Sequence, residues 1–241
     1  MANILGISGK KQSGKNTAAN YIHGLVIAKM KLAKDFRIDK SGRLCILTSD
    51  SSGWEDWGEF DVTRTDVDFV NYAEYNIWPH IKMYSFADGL KSLCVEFFGL
   101  KPEQVYGTDK QKNTPTALKH PDTGKLMTAR EFMQYFGTDV MREIHEPVHV
   151  NHAINRILSE QSDLAIVPDV RFPNEVKAIQ DAGGKVIRLT RNTRKDSHAS
   201  ECGLDEDNFD WNNFDCIIEN DGSLEDTLKS VDAAYQTIFL S

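Results

Sequence analysis

The sequence lacks the marks of several large protein classes. Its four cysteines, Cys45, Cys94, Cys202 and Cys216, are scattered and form no C-x-x-C pair. That spacing predicts neither a disulfide framework nor a zinc site, and a reducing compartment is the simpler setting. The seven histidines show no H-x-x-x-H metal spacing. No stretch approaches the roughly 20 apolar residues of a membrane span. The N-terminus lacks the basic start and apolar run of a signal peptide. A cytoplasmic protein with no membrane partner is expected. Basic residues are outnumbered, 28 against 36 acidic ones, for a net charge of −8. This weighs against nucleic acid as a partner, which wants a broad basic face. Anionic substrates would need a local cluster of Lys and Arg. Internal repeats and long low-complexity tracts are also missing.

What is present is an ordinary globular composition. The 241 residues are 40% hydrophobic and 27% charged, enough for one large domain or two small ones. Residues 3–8 read as a short buried strand, a Gly-rich turn follows, and residues 16–30 carry a helical pattern. Residues 35–80 break this rhythm with aromatics and acids, and read as an insertion or a hairpin on the main sheet. Strand 82–86 and helix 87–98, closed by Gly99, follow. Residues 101–127, with Pro102, Pro115, Pro121 and Gly124, read as a long loop. Thr128 and Glu131 have the spacing of a capping box. It opens one helix or a pair running to about 146, with another at 148–159. Strand 164–167, helix 174–182, strand 185–190 and strand 216–219 come next, and Ser223 caps a final helix. This alternation predicts an α/β fold, a doubly wound and mostly parallel sheet flanked by helices. Its ligands would sit at the carboxyl ends of the strands.

The strongest motif is Gly9-Lys10-Lys11-Gln12-Ser13-Gly14-Lys15-Asn16-Thr17, a G-x-x-x-x-G-K loop between strand and helix. A phosphate chain needs many donors in a small space. Backbone N–H groups of such a loop and the following helix N-terminus supply them. Gly9 and Gly14 permit close approach, and Lys15 would reach the β- and γ-phosphates. Asn16 stands where Ser or Thr normally offers a hydroxyl to Mg²⁺. Its amide oxygen could face the metal directly or through water, and Thr17 supplies a hydroxyl one residue on. A nucleoside triphosphate with Mg²⁺ is the expected ligand.

A phosphate loop names a nucleotide, not a reaction. Arg130, Gln134 and Gly137 fall at i, i+4 and i+7, one face of a helix. Met133, Phe136, Val140 and Ile144 fall on another, apolar face. On this reading Gly137 leaves room for a ligand. The blander alternative makes Gly137 the end of one helix and Thr138 the cap of the next. Asp169 and Arg171 follow a buried strand, where an acid can hold Mg²⁺ and an arginine can face an acceptor phosphate. Glu175 could orient Arg171. The alternative is a surface ion pair. Arg188, Arg191, Arg194 and Lys195 concentrate positive charge, as a lid over a transferring phosphate would. The alternative is a solvated basic loop. His198 and Glu201 share that segment.

These pieces together resemble the bacteriophage deoxynucleoside monophosphate kinases of the P-loop nucleoside monophosphate kinase-like group. The matching segments, in family order, are the loop 8–17, Phe132-Met133-Gln134 to Gly137-Thr138-Asp139, Ile166-Val167-Pro168-Asp169-Val170-Arg171, Ser197-His198-Ala199-Ser200-Glu201 and Asn220-Asp221-Gly222-Ser223-Leu224-Glu225. They span nearly the whole chain but leave 35–80 unaccounted for. The resemblance implies one kinase domain over 1–241, an insertion at 35–80 and a lid at 191–213. It implies transfer of the ATP γ-phosphate to a deoxynucleoside 5′-monophosphate (dNMP). Arg130, Gln134, Thr138, Asp169, Arg171 and Glu175 would line the acceptor site, and Arg188, Arg191 and Arg194 would belong to the lid. The Asn220–Gly222 turn would pass near the adenine. A departure lies near His149, where relatives carry an aromatic Trp. A phage-encoded enzyme would act in the host cytoplasm, and a homodimer is a candidate assembly. Two rivals stand beside this reading. One is a small-metabolite kinase such as a phosphomevalonate kinase, and the other is a nucleotide-binding regulator without transferase activity.

Overall fold

The computed structural model describes residues 3–49, 52–64, 66–191 and 202–239. In chain order these form β1 (Asn3–Ser8), α1 (Lys15–Lys29), β2 (Asp35–Ile38), β3 (Leu44–Ser49), β4 (Glu55–Glu59), α2 (Val67–Asn76) and β5 (Ile81–Met83). Then come α3 (Asp88–Glu96), α4 (Pro102–Tyr106), α5 (Asp109–Lys112), β6 (Pro115–Lys119), β7 (Leu126–Thr128) and α6 (Ala129–Gln134). A π-helical segment (Tyr135–Arg142) leads to α7 (Val148–Glu160), β8 (Leu164–Val170), α8 (Pro173–Asp181), β9 (Lys185–Thr190), β10 (Cys216–Glu219) and α9 (Leu224–Phe239). The chain divides into two compact units, Met1–Tyr84 with Ile157–Ser241, and Ser85–Arg156.

The first unit is built on a five-stranded sheet in the order β10-β9-β1-β8-β5. Every pairing in it is parallel. Parallel strands covered on both faces need continuous apolar runs. Strands β1 and β8 have them, and Ile4, Leu5, Ile7, Ala165, Ile166 and Val167 are all buried. Gly6 lets α8 lie directly on β1, since a Cβ there would sit 2.7 Å from Cδ1 of Ile179. On the other face, helix α1 packs Ala18, Ala19, Ile22 and Val26 against Leu5, Ile7 and Ile166. The doubly wound α/β fold read from the sequence is therefore the observed one. Strand β8 runs three residues further than expected, through Pro168 and Asp169 to Val170. Strand β5 is shorter, ending at Met83.

Residues 35–80 do not add a hairpin to the main sheet. Strands β2, β3 and β4 form their own antiparallel sheet. It docks on α1 at two points. Phe36 packs over Gly24, where a Cβ would lie 2.2 Å from the ring, and it meets Tyr21 with ring centroids 5.6 Å apart. The turn after β2 is tied down by Asn20, whose Nδ2 donates to the Gly42 carbonyl at 2.9 Å. A satellite core of Ile27, Ala33 and Leu44, with Phe36, Ile38 and Ile46, fills the space beneath.

The second unit corrects the expected long loop at 101–127. That stretch holds α4, α5 and the antiparallel hairpin β6–β7. The missed signals are local. Pro102 stands at a first helical position, where its absent N–H costs nothing. The Gln104 side chain accepts from Lys101 N, and Gln111 accepts from Thr108 N. Pro115 begins a two-stranded edge, where proline is tolerated. The Thr128–Glu131 capping box forms as read, with Thr128 Oγ1 accepting from Glu131 N and the Glu131 carboxylate accepting from Thr128 N. A core of Cys94, Leu100, Val105, Met127, Ala129 and Phe132 closes this unit. Phe132 and Phe136 stack with ring centroids 5.6 Å apart. Burial raises the Cys94 thiol to about 11.

Two features of the first unit make stability predictions. His23 is buried, its Nδ1 has no partner among the described residues, and burial lowers its pKa to about 3. The folded chain thus keeps His23 neutral where the unfolded chain, titrating near 6.5, takes up a proton. Its penalty is absent above pH 6.5 and grows as pH falls toward 3. At pH 5 it amounts to about 2 kcal/mol. H23L should therefore be less acid-sensitive than the wild type by about that amount between pH 7.5 and 5 in denaturant titrations. Parallel pH curves would disprove a neutral buried His23. For Gly24, G24A gains about 1 kcal/mol of helix propensity but drives a methyl into Phe36. The clash should win, for a net loss of about 1–2 kcal/mol in thermal unfolding. An equally stable or more stable G24A would show that the ring is not locked.

Candidate active site

The phosphate loop leaves the carboxyl end of β1, the middle strand, and turns into α1. Three residues have positive φ there, Gly9 at 151° among them. Gly14 has φ 93° and Gln12 has φ 65°. For a non-glycine this costs about 1–2 kcal/mol, and such strain collects at ligand sites. Ser13 N donates to Lys10 O at 3.1 Å, closing the turn. The Lys15 ammonium lies back along the loop, donating to the carbonyls of Gly9 at 2.5 Å and Lys10 at 2.7 Å. The first amides of α1 lie at a helix N-terminus, where the helix offers no carbonyl four residues earlier. The hydroxyl of Ser13 is buried and has no partner among the described residues. Asn16 is exposed on the first turn of α1. The Thr17 hydroxyl faces the Gly42 turn, where a Cβ would be 2.3 Å from Oγ1.

The adjacent strand supplies the next groups. Ser8 of β1 pairs with Val170 of β8, so Asp169 and Arg171 flank the position level with the start of the loop. Both are half-buried. Glu175 is 2% exposed, and its Oε2 accepts from the backbone N of Arg171 at 2.7 Å and of Phe172 at 3.1 Å. It caps α8 and holds the main chain that carries Arg171.

Arg188 was expected in a lid, but it lies in β9 and is 4% exposed. A strand position pairing with Ser8 explains the burial. Its Nη1 donates to Ser8 Oγ at 2.9 Å, its Nη2 is 3.5 Å from Asp205, and its guanidinium lies 5.2 Å from the Trp211 ring centre. Asp205 also pairs with Lys10 of the loop at 2.9 Å. Arg191, just past β9, is exposed. Arg194, Lys195, His198 and Glu201 fall outside the described residues, as does much of the expected lid at 191–213.

The Asn220–Gly222 turn follows the edge strand β10. Asn220 is buried, and its Nδ2 donates to the Ser13 carbonyl at 2.6 Å. Its Oδ1 accepts from Thr227 Oγ1. Its side chain therefore braces the loop from beneath, while the turn at Gly222 is exposed.

In the second unit the i, i+4, i+7 arithmetic fails. The π-helical stretch begins at Tyr135 and shifts the register beyond it. Gln134 and Thr138 are exposed, while Gly137 is buried. A Cβ on Gly137 would be 2.6 Å from Leu90, and its carbonyl lies 3.0 Å from His149 Nε2. The glycine thus makes room for packing. Desolvation lowers the pKa of His149. Ile144, placed by period on an apolar face, is 81% exposed for the same reason of register. Arg130 pairs with Asp109 at 2.6 Å.

Sequence reasoning took in Ser8 only as part of the loop segment 8–17, and missed Asp205 and Thr227. Thr227 stands seven residues after Asn220, inside a helix, and nothing local marks it. Asp205 belongs to the run Asp205-Glu206-Asp207, which reads as a solvated acidic turn.

Residues 3–231 match the family model described as deoxynucleotide monophosphate kinase. A protein of Acanthamoeba polyphaga mimivirus, named "Putative deoxynucleotide monophosphate kinase", is 31% identical over 161 residues, which cover 61% of this chain and 79% of that one. The match takes in β1, its phosphate loop and the strands beside it, so the chain belongs to the deoxynucleotide monophosphate kinase family and is a phosphotransferase acting on deoxynucleoside monophosphates.

Proposed function

We propose that the phosphate loop holds ATP and that the groups ending β8 receive the acceptor, so that the γ-phosphate passes in line to a dNMP. The register that sets Val170 against Ser8 carries this reading, because it brings Asp169 and Arg171 beside the loop. The loop amides and Lys15 would hold the β- and γ-phosphates. The buried, unpartnered hydroxyl of Ser13 suits a donor to a phosphate oxygen. Gly9 and Gly14 keep the loop narrow, Lys10 adds charge at its start, and Thr17 sits one residue past Asn16. The turn at Asn220 and Gly222 would border the adenine.

The donor chemistry suits magnesium. The Asp169 carboxylate and the Asn16 amide oxygen are hard oxygen ligands. Mg²⁺ taken up with a nucleotide usually needs only one or two protein groups. Bound there, the ion would neutralise charge on the phosphates. No group of three or more His, Cys, Asp or Glu among the described residues could hold a metal without the nucleotide.

For the acceptor, Arg171 offers a bidentate clamp on a phosphate. Glu175 positions it through the backbone. Arg130, Gln134 and Thr138 of the second unit carry acceptor roles by family likeness, whereas Gly137 is taken up by packing. Among them Arg130 must exchange Asp109 for a phosphate. Arg191 and Arg194 are the lid arginines of this proposal. Arg188 acts differently, as a positioning residue that ties Ser8 to β9. No covalent intermediate is needed, since positioning and charge neutralisation suffice for phosphoryl transfer.

Two experiments test this. The first measures ADP release with the four dNMPs, their ribonucleotide counterparts and phosphomevalonate as acceptors. Acceptor-dependent release with at least one dNMP is expected. Release with phosphomevalonate alone would replace the assignment, and nucleotide binding without any release would make the chain a regulator. The second is R171A. It should lower kcat/KM for the acceptor by about 10- to 100-fold, the worth of a charged hydrogen-bonding group. Direct ATP binding should change less than twofold. An equal loss of ATP affinity would move Arg171 to the donor side.

A further inference from the structure

Lys10, at the start of the phosphate loop, does not point to solvent alone. Its ammonium lies 2.9 Å from the Asp205 carboxylate. The same carboxylate lies 3.5 Å from the guanidinium of Arg188. One anion therefore sits between two cations from different elements, beside a loop whose purpose is to hold anions. The two partners differ in freedom. The Lys10 and Asp205 side chains are 29% and 24% exposed, whereas that of Arg188 is 5% exposed and is fixed by Ser8 and by the Trp211 ring.

Asp205 is itself held from below. Leu204, its neighbour, is buried, and the Leu204 carbonyl accepts from Trp211 Nε1 at 2.9 Å. The Asp205 carbonyl accepts from the backbone N of Asn208 and Phe209, both at 2.9 Å. The carboxylate thus stays in place while Lys10, on a long and flexible stem, can leave it.

We propose that Asp205 is an internal stand-in for substrate phosphate. In the ligand-free protein it neutralises Lys10 and fixes its stem, and it keeps Arg188 paired throughout. An incoming triphosphate, carrying several charges against one, takes Lys10 from it. Asp205 is then a positioning residue that sets the affinity for nucleotide by competition. This rests on the reading of the loop as the ATP phosphate site.

The test compares wild type, D205N, K10M and the double variant, with thermal melts to establish folding. Each is titrated with MgATP and with inorganic tripolyphosphate as a base-free probe. D205N keeps the shape and an acceptor for Arg188 but removes the competing charge. It should bind both probes about two- to fivefold more tightly, the range expected for a partly exposed ion pair. That gain should shrink with added salt. It should vanish in the K10M background, because the released lysine is its source. In turnover the change should fall on KM for ATP rather than on kcat. If D205N does not fold, D205S serves, a smaller side chain that likewise removes the competing charge. Unchanged or weaker binding by a folded variant overturns the proposal, as does a gain that persists without Lys10. A wild type that binds neither probe instead overturns the reading of the loop, and this proposal with it.

Discussion

The whole arrangement depends on β1 having parallel partners on both sides. A strand with Ile4, Leu5 and Ile7 buried cannot stand at an edge, and its backbone groups must be paired twice over. Pairing with β8 on one side and β9 on the other satisfies them. It also dictates what surrounds the loop. Whatever follows the last paired residue of β1 must emerge between the ends of β8 and β9. Asp169, Arg171 and Arg188 are near the phosphate loop for this reason, and not because they are close in sequence.

The loop is held by more than its own glycines. Asn220 grips the Ser13 carbonyl, Ser8 is tied to Arg188, and Lys10 to Asp205. A Cβ on Gly14 would lie 2.6 Å from Asn220 Nδ2. Glycine there answers a steric demand from the far end of the chain as well as a left-handed φ. A brace of this kind suits a site that must hold its donors ready before the ligand arrives.

Much of this was legible in the sequence, because the main signals are local. The G-x-x-x-x-G-K loop, the buried runs of β1, β8 and β9, and the Thr128 and Ser223 caps depend on residues within a few positions of one another. The ordered motifs were enough to reach the family. Three kinds of information were not legible. Short helices at 102–112 were hidden by prolines that in fact begin an element and a strand. The π-helical register after Gln134 defeated arithmetic based on 3.6 residues per turn, so Ile144 and Gly137 were misplaced. And the partners of Arg188 lie in other strands and loops. A basic residue in a basic stretch looks solvated until its strand neighbours are known. Residues 35–80 read in the sequence as an insertion or a hairpin on the main sheet, and the separate β2–β3–β4 sheet escapes that reading because its docking rests on Gly24 receiving Phe36, a contact that no periodicity announces.

The bond between Asn220 and the loop spans 207 residues, and β1 waits for strands that begin at Leu164 and Lys185. On a ribosome adding about 5–20 residues per second, on the order of ten seconds or more separate the synthesis of the loop from that of its brace. During that interval β1 has both its neighbours missing. Truncated chains of this protein should therefore not be partial enzymes. The nucleotide signature is made early relative to its support, and the loop is complete only after Asn220, 207 residues further along, has emerged.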